Sequence, residues 1–279
     1  MQKTQPAGED AQSILSDVRV FALDMDGTIY LGDHWIPGAR EWILEAEASG
    51  RSCYFLTNNS SKSPEIYADK LRRMGLALPE NRIITSGEAA ISYLRERHPG
   101  RRVFLLGNAL LREEFERGGI LLDEENPEIV VTCFDTSLTY DKLRRVCDLV
   151  RGGLPYIATH PDYNCPTEDG FMPDLGAISA LIRASAFRDP DVVIGKPNRE
   201  ISDYLMQHIR RAEPRLAGIQ RSQVAMVGDR LYTDVAAGIR GGLRSILVLS
   251  GEASLEDVQN SPDRPDLIYS SLSDIPLLP

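Results

Sequence analysis

The chain has 279 residues and a mass of 31.0 kDa, and its 31 Lys and Arg against 41 Asp and Glu give a net charge of −10. At about 150 residues per domain this length suits two domains, and 42% hydrophobic with 26% charged residues excludes a disordered, collagen-like or disulfide-dense chain. The acidic balance argues against a general nucleic-acid binder, which needs a basic footprint, but it is compatible with a small phosphorylated substrate held by a few local donors.

Residues 1–14 read as a loose polar tail without the apolar core of a signal peptide. Apolar strands then alternate with amphipathic helices. Val18 to Leu23 and Ser52 to Leu56 are predicted strands, with a helix at Pro37 to Ser49 between them. Ser63 and Pro64 open a helix ending near Met74, as cap and first residue. A short strand, Arg82 to Ile84, precedes Thr85-Ser86-Gly87-Glu88, a capping-box pattern.

In the middle, Val103 to Leu106, Ile129 to Thr132 and Tyr156 to Ala158 read as strands, with a helix over 108–117. Leu143, Val146, Cys147 and Val150 form an i, i+3, i+4, i+7 stripe on a helix from Tyr140 to Arg151. The turn-rich stretch Thr159 to Asp174 follows, and a loop so long is usually functional. A helix over 175–186 closes this part. The last third returns strands at Asp191 to Ile194, Gln223 to Val227 and Ser245 to Leu249, with helices over 199–212 and 232–240. Such alternation predicts an α/β fold, a doubly wound parallel sheet with helices on both faces.

Cys53, Cys133, Cys147 and Cys165 form no C-x-x-C pair and match no zinc pattern. There is no run of about 18 apolar residues, and the expected location is cytoplasmic. His34, His98 and His208 read as surface or loop residues, Trp35 and Trp42 as packing residues, and Arg112 to Glu116 as a solvated helix face.

Four polar segments begin where apolar strands end, the place where an open α/β sheet binds its ligand. Asp24-Met25-Asp26-Gly27-Thr28 puts two carboxylates at i and i+2, on one side of an extended chain. They would repel unless a cation or a shared proton compensates, and Mg²⁺ is the common hard cation beside phosphate. Taken alone, the same residues also fit an ordinary strand-to-turn stop. Thr57-Asn58-Asn59-Ser60 offers hydroxyl, amide and backbone donors for phosphate oxygens, or a plain polar loop. Lys196, between Gly195 and Pro197, can neutralise phosphate as a point charge. Asp229 abuts an apolar strand, and Asp234 stands near a helix start, where acidic residues also serve as simple caps.

The ordered set D-x-D-G-T, T-N-N, G-K-P and G-D-x-x-x-x-D resembles the haloacid dehalogenase-like superfamily of aspartate-dependent phosphohydrolases, over residues 15–85 and 187–270. The NagD and p-nitrophenylphosphatase-like branch is the most similar. That branch carries D-x-D-G-T-[IL]-Y, a segment like Ala158-Thr159-His160-Pro161-Asp162 and a stretch like Gly170-Phe171-Met172-Pro173. Its middle segment is often T-N-P-D, and His160 stands here in place of the Asn.

The resemblance implies a phosphatase with Asp24 as nucleophile, forming an aspartyl-phosphate, and Asp26 as general acid and then base. It implies Mg²⁺ held by Asp24, Asp229 and the backbone carbonyl of Asp26, with Asp234 in support. Thr57 and Lys196 would bind phosphoryl oxygens, and Asn58 would shape their loop. A Rossmann-like core, 15–85 and 187–279, would carry an inserted α/β cap of about 100 residues, 86–186. The cap would read a small phosphorylated metabolite, a sugar phosphate or a nucleoside monophosphate, with His160, Asp162 and Tyr163 as specificity residues. Relatives often dimerise through the cap, so the resemblance also implies a homodimer as a candidate assembly. A phosphomutase and a non-catalytic binding module on the same core are the alternatives. A dehalogenase fits less well, because halide displacement does not need Asp26 and Asp229.

Overall fold

The computed structural model describes residues 11–167 and 170–278. In chain order the strands are β1 (Val20–Leu23), β2 (Tyr30–Leu31), β3 (His34–Trp35), β4 (Ser52–Thr57), β5 (Ile83–Thr85), β6 (Arg102–Leu106), β7 (Leu121–Leu122) and β8 (Ile129–Thr132). They continue with β9 (Tyr156–Ala158), β10 (Asn164–Thr167), β11 (Gly170–Pro173), β12 (Val192–Val193), β13 (Val224–Gly228), β14 (Arg244–Val248) and β15 (Leu267–Tyr269). The helices are α1 (Ala11–Asp17), α2 (Ala39–Ala48), α3 (Pro64–Arg73), α4 (Ser86–Arg97), α5 (Ala109–Arg117), α6 (Tyr140–Arg151), α7 (Leu175–Ala186), α8 (Arg199–Ala212), α9 (Ala236–Gly241) and α10 (Leu255–Asn260). None of the helices among the described residues is long and apolar enough to cross a membrane.

Two compact units result. The first comprises the described residues of Met1–Leu56, Ala68–Ile84 and Lys196–Pro279. Its parallel sheet has the order β15-β14-β13-β1-β4-β5. Strands β1, β4 and β13 are buried along their whole length. That explains their unbroken apolar runs, since a parallel sheet covered on both faces needs no polar alternation. From β1 the chain winds one way to β4 and β5, and later returns on the other side to β13 and β14. The order therefore reverses between β1 and β13, a topological switch point of the kind that binds ligands at the carboxyl ends. Leu23 stands opposite Val227, and the Asp24 amide donates to the Val227 carbonyl at 2.8 Å. Asp24 and Asp229 consequently leave adjacent strand ends. Of the residues expected to form a loose tail, 11–14 instead begin α1, whose Ile14 and Leu15 are buried; 1–10 lie outside the described residues.

The second unit comprises Thr57–Tyr67 and Thr85–Gly195. Its parallel sheet has the order β12-β9-β8-β6-β7. Because β12 pairs with β9, this unit continues past residue 186 to Gly195. Val146, Cys147 and Val150 of α6 pack with Phe104, Val130 and Tyr156 of the sheet and with Ile178 and Ile182 of α7. The α6 stripe faces the core as its spacing predicts. Thr85 caps α4 by accepting from the Glu88 amide at 3.1 Å.

The stretch Thr159 to Asp174 contains an antiparallel hairpin, β10 with β11, within the expected loop. Pro166 and Pro173 conceal it in the sequence, since proline is scarce in strands. Glu114 corrects another expectation. It lies on the helix face read as solvated, yet it is only 8% exposed, beside fully buried Phe115.

Candidate active site

The first unit gathers three carboxylates. Oxygens of Asp24, Asp229 and Asp234 all lie within 4.8 Å of one another. Asp229 and Asp234 are buried. Burial, with Asp24 and Asp234 nearby, pushes the Asp229 carboxyl up to about 7. Burial also drives Asp234 upward, even though Lys196 opposes the rise. Both shifts express one fact: negative charge is crowded where water cannot screen it.

Lys196 is 2% exposed, and its Nζ donates to Asp24, to Asp234 Oδ1 at 2.7 Å and to the Leu56 carbonyl at 3.1 Å. Burial alone would lower its pKa; Asp234 and Asp24 outweigh that and hold it above the usual lysine range. The Lys196–Pro197 peptide is cis. One ammonium among three carboxylates leaves an excess of negative charge.

The backbone around this group is shaped to let it form. A Cβ on Gly27, whose φ is +87°, would lie 2.5 Å from Asp229 Oδ2. A Cβ on Gly228 would lie 2.2 Å from Asp234 Cγ, and one on Gly251 would lie 2.0 Å from Asp229 Oδ2. Only glycine admits such close approach. Thr28 Oγ1 stands 3.4 Å from both Asp24 Oδ2 and Asp229 Oδ1. Asp234 belongs to a π-helical turn, Leu231–Val235, and accepts from the Arg230 amide at 3.1 Å. Its partners are therefore Lys196 and that amide, beyond any simple capping role. Asp26 lies half-buried in the turn after β1, and the three-carboxylate group does not include its carboxylate.

A further part of the site was not anticipated. The loop after β14 wraps Asp229: the Glu252 amide donates to Asp229 Oδ2 at 2.8 Å, and the Ala253 amide to the Asp229 carbonyl at 3.1 Å. Ser250 Oγ donates to the Gly27 carbonyl at 2.9 Å. Arg230 pairs with Glu252 at 2.9 Å, and Tyr232 donates to the same carboxylate at 3.0 Å. The available signal was the rule used elsewhere, a polar cluster, Ser250-Gly251-Glu252, directly after an apolar strand.

The remaining expected residues lie in the second unit. Thr57 ends β4 and accepts from the Asn59 amide at 3.1 Å. Asn58 Nδ2 donates to both oxygens of Asp162, at 3.1 and 3.2 Å. His160 is fully buried, with Nε2 2.9 Å from Asp174 Oδ1. Tyr163 is 63% exposed. His160, Asp162 and Asp174 also bring ligand atoms within 4.8 Å of one another. These carboxylates already meet donors of their own: Asp174 accepts from His160 and from the Leu175 amide, and Asp162 accepts from Asn58.

A haloacid dehalogenase-like hydrolase family model matches residues 21–121, and a second model of HAD-hydrolase-like proteins matches 193–275. An acid sugar phosphatase of Staphylococcus aureus is 34% identical over 261 residues, covering 93% of this chain and 97% of that protein. This chain belongs to the haloacid dehalogenase-like hydrolases. Within that family it is NagD-like. The solved 4-nitrophenylphosphatase of Thermotoga maritima is 42% identical, with a TM-score of 0.88 over 95% of this chain and 99% of that one. NagD from E. coli K-12 is 30% identical, with a TM-score of 0.84 over 94% and 99%. The α/β fold is accordingly that of this hydrolase branch.

Proposed function

We propose that this hydrolase is a Mg²⁺-dependent phosphatase that cleaves a small sugar phosphate or nucleoside monophosphate through an aspartyl-phosphate on Asp24. The observation that carries this reading is the Asp24, Asp229 and Asp234 group, half-buried at Asp24 and buried at the other two, with Lys196 against it, at the switch point of a NagD-like chain. The acid sugar phosphatase relative favours the sugar phosphate.

The donor set suits a hard divalent cation: carboxylate oxygens only, excess negative charge and a cradle of glycines. Asp24, Asp229 and the Asp26 carbonyl would hold Mg²⁺, with Asp234 in support. The bound ion would neutralise charge on the phosphoryl oxygens.

This chain's own residues do the rest. An Asp24 oxygen attacks phosphorus as the bond to the leaving alcohol's oxygen breaks, and Asp26 gives that leaving oxygen its proton. Asp26 then takes a proton from water, which attacks phosphorus and frees Asp24 with release of inorganic phosphate. Lys196 contacts Asp24 and faces the incoming phosphoryl charge. Thr57 and Asn58 are assigned to the phosphoryl-binding segment by their motif. Asp162 and Tyr163 are the specificity candidates.

The test uses p-nitrophenyl phosphate, whose leaving group needs no acid. Asp26→Asn should give a stoichiometric burst of p-nitrophenol, followed by very slow turnover, with phosphate retained on Asp24. A burst lost in Asp24→Asn completes the assignment. Full steady turnover by Asp24→Asn would overturn it.

A further inference from the structure

We propose that His160 is a positioning residue that fixes the main chain of the Thr57-Asn58-Asn59-Ser60 segment and makes no contact with substrate. The functional part of this inference rests on the reading of that segment as phosphoryl-binding.

His160 is fully buried, so the ring offers no surface to a ligand. Its Nε2 faces Asp174 Oδ1 at 2.9 Å, and Asp174 is itself fixed as the N-cap of α7. Its Nδ1 faces two hydroxyls, Thr159 Oγ1 at 3.2 Å and Ser86 Oγ at 3.4 Å. Each hydroxyl reaches the segment in question. Ser86 Oγ donates to the Asn58 carbonyl, and Thr159 Oγ1 donates to Ser60 Oγ at 3.1 Å. Ser60 Oγ also accepts from the Phe134 amide at 2.9 Å. One ring therefore bears on residues 58 and 60 through two hydroxyls.

The following residues add a third hold. Asp162 accepts both hydrogen bonds from Asn58 Nδ2. A Cβ on Gly195 would lie 2.5 Å from Asn58 Oδ1 and 2.8 Å from the Thr159 carbonyl, so the backbone before Lys196 closes against the same side chain. Buried hydrogen-bonded networks of this kind rigidify the segments they join. Displacing a binding group by about 1 Å can cost on the order of 10²-fold in rate.

The experiment compares His160→Ala, His160→Gln and Ser86→Ala with the parent protein. Ser86→Ala removes only one hydroxyl and guards against a folding failure of His160→Ala. Hydrogen exchange should accelerate at residues 57–61 by about 10-fold or more in His160→Ala and Ser86→Ala, while β1 and β13 stay protected. Rates with p-nitrophenyl phosphate and with a set of sugar phosphates should fall about 10–100-fold in kcat, by one common factor, with little change in KM. His160→Gln, whose amide can still donate to Asp174, should recover part of the loss. A change in the ratio between substrates would make His160 a substrate contact and overturn the proposal. A lower melting temperature with unchanged kcat, or unchanged exchange at 57–61, would overturn it as well. A parent protein that releases no phosphate would instead sink the phosphatase reading, and the exchange result would still decide the positioning role.

Discussion

Two acidic groups in this molecule look alike by distance and differ in what surrounds them. Asp24, Asp229 and Asp234 in the first unit, and His160, Asp162 and Asp174 in the second, each place ligand atoms within 4.8 Å of one another. In the second group Asp162 accepts from Asn58, and Asp174 from the Leu175 amide and the imidazole. In the first, Lys196 contacts Asp24 and Asp234, and burial, with Asp24 and Asp234 nearby, pushes Asp229 up to about 7. Clustering of acids alone is therefore a poor sign of chemistry. An unbalanced charge that burial prevents water from relieving is a better one.

The largest effect that sharpens this contrast is the loss of the nucleophile. Asp24→Asn should reduce phosphate release by about 10⁴-fold or more while circular dichroism and melting stay near the parent's. Next comes the cation. Asp229→Asn should weaken Mg²⁺ binding, measured by calorimetry, beyond the 10–100-fold range typical of changes to residues behind a ligand. Asp162→Asn should leave Mg²⁺ binding within about 2-fold of the parent's, because its carboxylate belongs to the balanced group. Equal losses from the two substitutions would erase the distinction between the groups. Gly251→Ala, whose Cβ would press on Asp229 Oδ2, should weaken Mg²⁺ binding by about 10–100-fold without touching any ligand directly.

The smallest effect concerns stability and lies away from both groups. Burial, with Glu65 adding to it, pushes Glu114 up to about 7. The folded protein then holds this proton where the unfolded chain has lost it. Between about pH 4.5 and 7 Glu114 favours folding less as pH rises, and the penalty is complete above pH 7. Its ceiling is about 3 kcal/mol. Glu114→Gln should raise the melting temperature at pH 8 and change it little at pH 4.5. Equal shifts at both pH values would show that Glu114 ionises normally.

Much of the fold and the core of the site could be read from the sequence, for a physical reason. Apolar runs mark strands buried on both faces, and polar residues placed directly after them stand at the crevice, where a ligand site is one of the roles open to them. That logic points to Asp24, Lys196, Asp229 and Asp234, which the structure brings together, and it applies equally to Ser250-Gly251-Glu252. Burial and partners were not legible. His160 has the composition of a substrate contact, but the hydroxyls of Ser86 and Thr159 surround it only after distant segments meet. Glu114 sits among charged neighbours in sequence, and only packing shows that it faces inward beside Phe115. The β10–β11 hairpin is hidden in the sequence because its prolines mimic a loop.

The most direct test of the central claim is inorganic phosphate release from a panel of sugar phosphates and nucleoside monophosphates, with Mg²⁺ and after chelation. The unbalanced carboxylate group predicts release that a chelator abolishes and added Mg²⁺ restores, strongest on a sugar phosphate. Release that continues undiminished in chelator, or no release from any substrate with Mg²⁺ present, would contradict it.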